Sequence, residues 1–406
     1  MINQLNLFTE IVNIYSESKE PVSNEVLYKR AIKKLSLPES ILLEKQSANA
    51  GGLSYNIFKR KIRWFQQTLK HAGVLNKVDG ERGKWCAAKL KADDLDKILP
   101  SLSVIGFSTR LGVAILGYSE SVFSGINEPI HLILTSPPYP ISNPRKYGNV
   151  KESEYVGWVC VTLEPVIKNL APGGSLVLNV GNDVFLKGSP ARSLYKERLL
   201  LALNDRFGLS LMDQIIWHNG SKAPGPIAWA SKQRVQLNVA WEPLYWFTND
   251  PMRVLSNNQR VLQPHSAKHL DFVMSGGAKK AENKSDGAYR LKEGSYSNLT
   301  AGKIQRNVIS VGHSCSDNRA YRQNAIKEGL VPHGATMPLK LASFMIEFLT
   351  EPDHLVVDSF AGSMTVGRAA EALGRRWLCV DPVVDYVKGS AFRFEGCDGF
   401  RRNFIN

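Results

Sequence analysis

Two short stretches concentrate the groups that reaction chemistry needs. Ser136-Pro137-Pro138-Tyr139 closes an apolar run, His131 to Thr135, and neither proline can donate to a strand ladder, so the chain leaves a sheet abruptly there. A hydroxyl, rigid backbone carbonyls and an aromatic ring arrive together at the carboxyl end of a buried strand, where open α/β sheets hold ligands. Taken alone the tetrapeptide reads more readily as a proline turn with a surface tyrosine. The second stretch, Asp358-Ser359-Phe360-Ala361-Gly362-Ser363-Met364-Thr365, changes that balance. A strand ending in an acid, a tight turn with glycine and a helix start form the cradle for a nucleotide-like ligand: Gly362 admits a close approach, and the first helical amides meet anionic groups. Trp377 to Val380 reads as the next strand and ends at Asp381, placed to accept hydrogen bonds from ribose hydroxyls. One glycine in place of three, and no Gly-Lys-Ser/Thr, disfavour dinucleotide and ATP binding.

The intervening pattern has to bring the two stretches together. Leu111–Leu116, Ile130–Leu134, Ser175–Val180, Leu211–Trp217, Leu244–Phe247 and His354–Asp358 read as strands. Tyr155–Leu170 reads as an amphipathic helix terminated by Pro172-Gly173-Gly174, and Pro338 opens another through Leu341, Phe344, Met345, Phe348 and Leu349. Strand alternating with helix predicts an α/β fold with a doubly wound sheet. Asn143–Val150 is expected as a loop beside the pocket. From Asn249 to about Gly329 the periodicity dissolves into Asn, Ser, Gly, Lys and Arg, as in a long basic insertion.

Residues 1–100 read as a separate small domain. Phe8, Ile11, Val12, Ile14 and Tyr15 have helical spacing, Ser23 offers a cap to a second helix, and Asn56–Ala72 is sharply amphipathic. Ile57, Phe58, Ile62, Phe65 and Leu69 share one side of it, Lys59, Arg60, Lys61, Arg63 and Lys70 surround the rest, and Gly73 ends it. A short hairpin, Val74–Val78 with Lys84–Ala87, follows, and Asp93–Ser103 reads as linker. The domain boundaries expected are 1–100, 101–248 for the catalytic region, 249–330 for the insertion and 331–406 for the cofactor region.

Bulk properties narrow the function classes. The formal net charge is +14, and residues 1–100 (17 Lys or Arg against 11 acids) and 250–330 (13 against 7) hold most of the excess, which points to a polyanionic partner. Five scattered cysteines without Cys-x-x-Cys spacing argue against a disulfide framework and a zinc site, and His265, His269, His313 and His333 show no metal-ligand spacing. No run is long enough to span a bilayer and Met1 to Glu10 lacks signal-peptide character, so a soluble cytoplasmic protein without membrane association is expected. Trp217, Trp229, Trp241 and Trp246 read as core or pocket wall, with Trp241-Glu242-Pro243 also able to edge a cleft for that polyanion.

Together the motifs resemble those of the DNA amino-methyltransferases, which methylate an exocyclic nitrogen. Thr135-Ser136-Pro137-Pro138-Tyr139 looks like the catalytic motif, Asp358 to Thr365 like the S-adenosylmethionine loop, and His333-Gly334-Ala335-Thr336-Met337-Pro338 like the segment that precedes that loop. The catalytic motif comes first and the cofactor loop last, similar to the beta-type permuted order in which the insertion recognises the target. The N-terminal helices and hairpin, with Gly83-Lys84-Trp85, resemble a winged-helix module, so the implied architecture is a Rossmann-like methyltransferase sheet with a small winged-helix-like domain and a basic insertion. By this resemblance Asp358, Phe360, Ala361, Gly362, Ser363, Thr365, Thr336 and Pro338 hold S-adenosylmethionine, Asp381 holds its ribose, and Ser136, Pro137, Pro138 and Tyr139 hold the target base. Lys59, Arg60 and Arg63, with Lys279, Lys280, Arg290, Lys303, Arg306, Arg319 and Arg322, are the candidate phosphate contacts. One departure is Gly117-Tyr118, where the family commonly has Gly-Asp near the cofactor's adenine.

The implied reaction needs neither metal nor covalent intermediate. Ser136 and the Pro137 carbonyl would draw the amine hydrogens, localising the nitrogen lone pair, and Tyr139 would stack on a base flipped out of the duplex. Serine at the first motif position resembles the N4-cytosine enzymes, whereas Asp or Asn there is usual for N6-adenine enzymes. None of the cysteines follows a proline, which excludes the carbon-5 cytosine chemistry. The expected protein is a duplex-DNA N4-cytosine methyltransferase of a restriction-modification system, with a cognate restriction endonuclease as companion. An N6-adenine enzyme, a non-catalytic winged-helix regulator and an RNA or small-molecule methyltransferase are the alternatives.

Overall fold

Side-chain caps start the N-terminal helices. The Ser23 hydroxyl accepts the Val26 amide proton at 3.3 Å, and Asn56 Oδ1 accepts that of Lys59 at 2.8 Å, each satisfying a donor that the helix leaves open. The computed structural model describes residues 4–18, 20–44, 46–47, 54–71, 75–87, 103–140, 150–284, 287, 289–313 and 315–403. In chain order its first elements are α1 (Gln4–Glu17), β1 (Val22–Ser23), α2 (Asn24–Lys34), the paired β2 (Gln46–Ser47) and β3 (Ser54–Tyr55), α3 (Ile57–His71), β4 (Leu75–Lys77) and β5 (Lys84–Ala87). Strands β1, β5 and β4 form one antiparallel sheet in that spatial order. α3 buries Phe58, Ile62, Phe65 and Leu69 and exposes Arg60, Arg63, Gln67 and Lys70, as its amphipathic spacing predicts.

Among the described residues the main sheet has ten strands. It is built from β6 (Val104–Ser108), β7 (Gly112–Leu116), β8 (Ile130–Thr135), β9 (Leu170–Asn179), β10 (Ser210–His218), β11 (Trp241–Thr248), β14 (Val308–Ser310), β15 (Leu355–Asp358), β16 (Arg376–Asp381) and β17 (Arg401–Arg402); between them come α4 (Ser119–Phe123), α5 (Glu152–Ile167), α6 (Tyr195–Phe207), α8 (Ser316–Lys327), α9 (Leu339–Leu349), α10 (Thr365–Ala372) and α11 (Val384–Ser390). The spatial order is β14-β10-β11-β9-β8-β15-β16-β7-β6-β17, and the five strands from β9 to β7 are parallel. Parallel strands need both faces covered, and the side chains alternate accordingly. Ile133, Leu178, Val357 and Val380 face the layer containing α4, α5 and α6; Leu132, Val177, Val356 and Cys379 face that of α9, α10 and α11. Each such fully buried aliphatic side chain contributes roughly 1.5–3 kcal/mol. The expected doubly wound α/β sheet is therefore present.

The first core layer extends into the N-terminal region. Leu7, Ile11, Phe58 and Trp85 belong to the same cluster as Ile133 and Leu178, and Ser108 Oγ donates to Asn13 Oδ1 at 2.9 Å. By packing, the chain divides elsewhere: residues 256–307 form one compact unit, and 1–255 with 308–406 the other. The smaller unit contains α7 (Ala267–Met274) and the antiparallel pair β12 (Glu282–Lys284) and β13 (Tyr289–Leu291), closed by an antiparallel bridge between Gln263 and Lys303.

Three local expectations need correction. Pro172-Gly173-Gly174 does not end a helix; α5 stops at Ile167 and the three residues lie inside β9, where Gly173 passes so close to the Arg253 carbonyl that a Cβ would overlap it. Within the stretch that reads as patternless, Ser316–Lys327 is a full helix, hidden because only Asn318, Tyr321 and Ala325 of it are buried. Val104–Ser108, outside every expected strand, pairs with β7. The loop expected at 143–149, the helix end at Gly73 and nearly all of the expected linker lie outside the described residues.

Candidate active site

The two motifs meet because their strands are neighbours. β8 and β15 pair in parallel, and each ends at the same edge of the sheet. There Thr135 Oγ1 donates to Asp358 Oδ1 at 2.7 Å, a hydrogen bond between residues 223 apart in sequence. The Phe360 amide bonds to both, at 3.2 Å to Thr135 Oγ1 and 3.1 Å to Asp358 Oδ1, which fixes the start of the turn. Asp381, at the end of β16, accepts the Gly362 amide at 2.7 Å and the Val383 amide at 2.9 Å. Gly362 has φ 49°, and a Cβ there would come within 3.2 Å of the His333 ring, so the turn requires glycine on both counts. Met364 is also left-handed, and α10 begins after it without a side-chain cap.

A cavity of about 860 Å³ opens at this edge, near the top of the usual range of roughly 300–1,000 Å³ for small-molecule sites. Ser136, Pro137, Pro138 and Tyr139 line it together with Asp358, Phe360, Ala361, Gly362, Ser363, Thr365, Thr336 and Asp381. Pro338 does not line it; that residue precedes α9 as its N-cap. Thr365 reaches the cavity, yet its hydroxyl is tied inward, 3.0 Å from Arg393 Nη1 and 3.1 Å from Ser363 Oγ. Burial pushes the Asp358 carboxyl up to about 7 and that of Asp381 up to about 6, against the opposing pull of their hydrogen bonds.

The cofactor side has open polar capacity. Thr336 Oγ1 and Ser359 Oγ are buried, line the cavity and have no hydrogen-bond partner among the described residues, an arrangement that costs stability until a ligand supplies partners. Two carboxylates with raised pKa add demand for donors. An ammonium group, ribose hydroxyls and an adenine ring would meet these groups, so the residues present fit S-adenosylmethionine. Phe360 and Trp158 of α5, 5.5 Å apart between ring centroids, give the cavity an aromatic wall, and Tyr118, the departure noted from the Gly-Asp pattern, lines it too.

The opposite side of the cavity adds Lys222 and Asn179, to which pattern reading gave no role, to residues it had read as wall or cleft edge. Tyr139 hydroxyl donates to Glu242 Oε2 at 3.0 Å and lies 3.2 Å from Ser136 Oγ. Glu242 Oε1 accepts from Lys222 Nζ at 3.0 Å, and Lys222 also faces Asp183 at 3.6 Å. Asn179, Trp217, Trp241 and His313 complete this side. Of the four tryptophans read as core or wall, Trp217 and Trp241 line the cavity and Trp246 is core, bonded to Ser175 Oγ at 3.0 Å, whereas Trp229 is half-buried and belongs to neither. The sequence placed Glu242 in Trp241-Glu242-Pro243 at a possible cleft edge but not beside Tyr139, because hydrogen-bond partnership across sheet strands leaves no local periodicity.

The candidate phosphate contacts do not form one group. Lys279, Lys280, Arg290, Lys303 and Arg306 are exposed residues of the 256–307 unit. Arg319 and Arg322 belong to the larger unit on α8, where Arg322 donates to the Gly334 carbonyl at 2.9 Å. Lys59, Arg60 and Arg63 lie on α3, and Arg63 Nε donates to the Tyr28 hydroxyl at 3.0 Å. No group of three or more His, Cys, Asp or Glu side chains suited to a metal occurs among the described residues, nor a helix long and apolar enough to cross a membrane.

Comparison with known proteins agrees with this geometry. The chain is 35% identical over 289 residues to the type II methyltransferase M.PvuII of Proteus hauseri, an alignment that covers 71% of this chain and 85% of that one. It is 23% identical over 280 residues to M.BamHI of Bacillus amyloliquefaciens, covering 67% of this chain and 55% of the relative. A solved structure, PvuII DNA methyltransferase (cytosine-N4-specific), superposes with a TM-score of 0.56 at 33% identity, over 71% of this chain and 87% of the other. Residues 130–392, which run from the start of β8 to beyond Asp381, match the N6/N4 DNA methylase profile, and the chain belongs to that family of DNA methyltransferases.

Proposed function

We propose that the protein transfers a methyl group from S-adenosylmethionine to the exocyclic N4 of cytosine in duplex DNA, as the modification enzyme of a restriction-modification system. The observation that carries this reading is the Thr135 to Asp358 hydrogen bond, which sets the Ser-Pro-Pro-Tyr loop and the cofactor turn at one cavity. Ser136 at the first motif position, and the likeness to a cytosine-N4-specific enzyme, favour cytosine over adenine.

Bound S-adenosylmethionine would supply an electrophilic methyl on a sulfonium sulfur that retains the bonding pair, and the methylated amine would give up one proton to water. Asp358, Ser359 and Thr336 bind its amino-acid and adenosyl portions, Asp381 accepts from the ribose, and Gly362 lets the backbone approach. Ser136 Oγ and the Pro137 carbonyl accept the two amine hydrogens of the target, which localises the nitrogen lone pair along the line of attack. Tyr139 stacks on the everted base, its ring held by the anchored hydroxyl.

The remaining regions take supporting roles in this reading. α1, β1, α2, α3, β4 and β5 follow one another as helix, strand, helix, helix and two-stranded wing, the order of a winged-helix domain, with α3 presenting Lys59, Arg60 and Arg63 to phosphates. The 256–307 unit has nine Lys or Arg against four acids and serves as target-recognition domain. The catalytic motif before it and the cofactor turn after it give the beta-type order.

The test is incubation of purified protein with labelled S-adenosylmethionine and genomic DNA, followed by digestion to nucleosides. Label in N4-methylcytosine is expected; label in N6-methyladenine overturns the base assignment, and with total RNA added in competition, label in RNA alone overturns the DNA reading. Ser136→Ala and Tyr139→Ala should each lower kcat on the order of 10²-fold, with cofactor affinity in an equilibrium titration little changed.

A further inference from the structure

Tyr139 has one hydroxyl proton and three acceptors around it. Glu242 Oε2 is 3.0 Å away, Ser136 Oγ 3.2 Å and Asn179 Oδ1 3.3 Å. A carboxylate only accepts, and a charge-assisted hydrogen bond outcompetes neutral ones, so the proton goes to Glu242. Burial and the nearby Glu242 charge hold the Tyr139 pKa well above the ordinary phenol value, so the tyrosine remains a donor. With that proton committed, the phenol oxygen can only accept from Ser136. The Ser136 proton therefore points at Tyr139, and its remaining lone-pair direction is left for the cavity. Lys222 Nζ donates to Glu242 Oε1 at 3.0 Å, so the second carboxylate oxygen is paired with a cation although the Glu242 side chain is only 16% exposed.

We propose that Glu242 is a positioning residue that sets the direction of this chain of hydroxyls and so makes Ser136 an obligate acceptor for the target amine. The proposal rests on the reading of Ser136 as the group that meets that amine. The chemistry explains why a partner is needed. An acid at position 136 would accept outright; a serine hydroxyl both donates and accepts, and a donor facing an amine hydrogen is repelled. Glu242, Tyr139 and Ser136 together give a neutral side chain the polarity of an acceptor without placing a negative charge beside the base.

The experiment uses the full chain, duplex DNA and labelled S-adenosylmethionine. Glu242→Gln keeps the shape but offers an NH₂ group that can donate to Tyr139 and reverse the chain. Its kcat is expected to fall on the order of 10²-fold, while cofactor affinity and the fluorescence of 2-aminopurine at the target position, which reports eversion, stay within about twofold of wild type. Tyr139→Phe keeps the ring and breaks the same link, so the double variant should be no slower than Tyr139→Phe alone. A Glu242→Gln enzyme within about threefold of wild-type kcat, or losses that multiply in the double variant, overturns the proposal. Should Glu242→Gln fail to fold, Tyr139→Phe decides alone: retention of wild-type kcat overturns the proposal, and loss of kcat with normal eversion supports it. A wild type that methylates no exocyclic amine overturns the functional reading itself, which separates the two failures.

Discussion

Asp358 and Asp381 sit where water cannot reach them well, and that sets a sign for two measurements. Their folded pKa values, about 7 and about 6, lie above the ordinary carboxyl value of about 4. Between those limits the folded, ligand-free protein binds more protons than the unfolded chain, so these groups favour folding below about pH 4 and that contribution is lost as pH rises through 6 and 7. Replacing Asp358 by Asn removes the charge and keeps an acceptor for Thr135. At pH 8 the ligand-free Asp358→Asn variant should melt roughly 2 °C or more above wild type, with a smaller gap at pH 5, while cofactor affinity drops on the order of 10-fold to 100-fold. Donors on the cofactor favour the ionised carboxylates, so binding expels protons and affinity should rise between pH 5.5 and pH 8. Calorimetry in buffers of different ionisation enthalpy checks this; proton uptake on binding would contradict it.

Among the elements, the carboxyl end of β9 matters as much as the motif it faces. Gly181 follows that strand, and a Cβ there would lie 2.5 Å from the Tyr139 ring. Tyr195 at the start of α6 donates to the Gly181 carbonyl at 2.5 Å, which prevents the backbone from yielding easily. Gly181→Ala should therefore push Tyr139 away from Glu242 and lower kcat about 10-fold or more, without altering cofactor affinity, because the cofactor turn hangs from β15 and β16. Methyl-transfer kinetics beside a cofactor titration separates these effects. Equal losses in both would show that the two sides of the cavity are mechanically coupled.

For the whole molecule, the proposed function would give the two basic regions different tasks, affinity and specificity. Exposed charges on α3 should contribute phosphate contacts, so Lys59→Ala with Arg60→Ala ought to reduce the slope of log affinity against log salt by about one per charge and leave kcat at saturating DNA intact. Lys279, Lys280, Lys303 and Arg306 lie in the 256–307 unit, and their replacement should also narrow the gap between cognate and random duplex in a competition assay. Much of this was legible without coordinates. Apolar runs stopped by prolines or acids reveal buried strands, Gly362 reveals a left-handed turn, and the motifs reveal the family, because each depends on residue types close together in the chain. Ser316–Lys327 was not legible, since a helix that buries only one narrow edge has no strong period. Nor were Glu242, Lys222 and Asn179 as partners of Tyr139: nothing local in a chain encodes which strand ends stand side by side. Sequence alone determined where most of the central strands stop, the turn between Asp358 and Thr365, and the family. Tertiary structure decided which of them share a cavity and which way their hydrogen bonds run, because hydrogen-bond direction depends on angstrom-scale contacts between strands that only the assembled sheet makes adjacent.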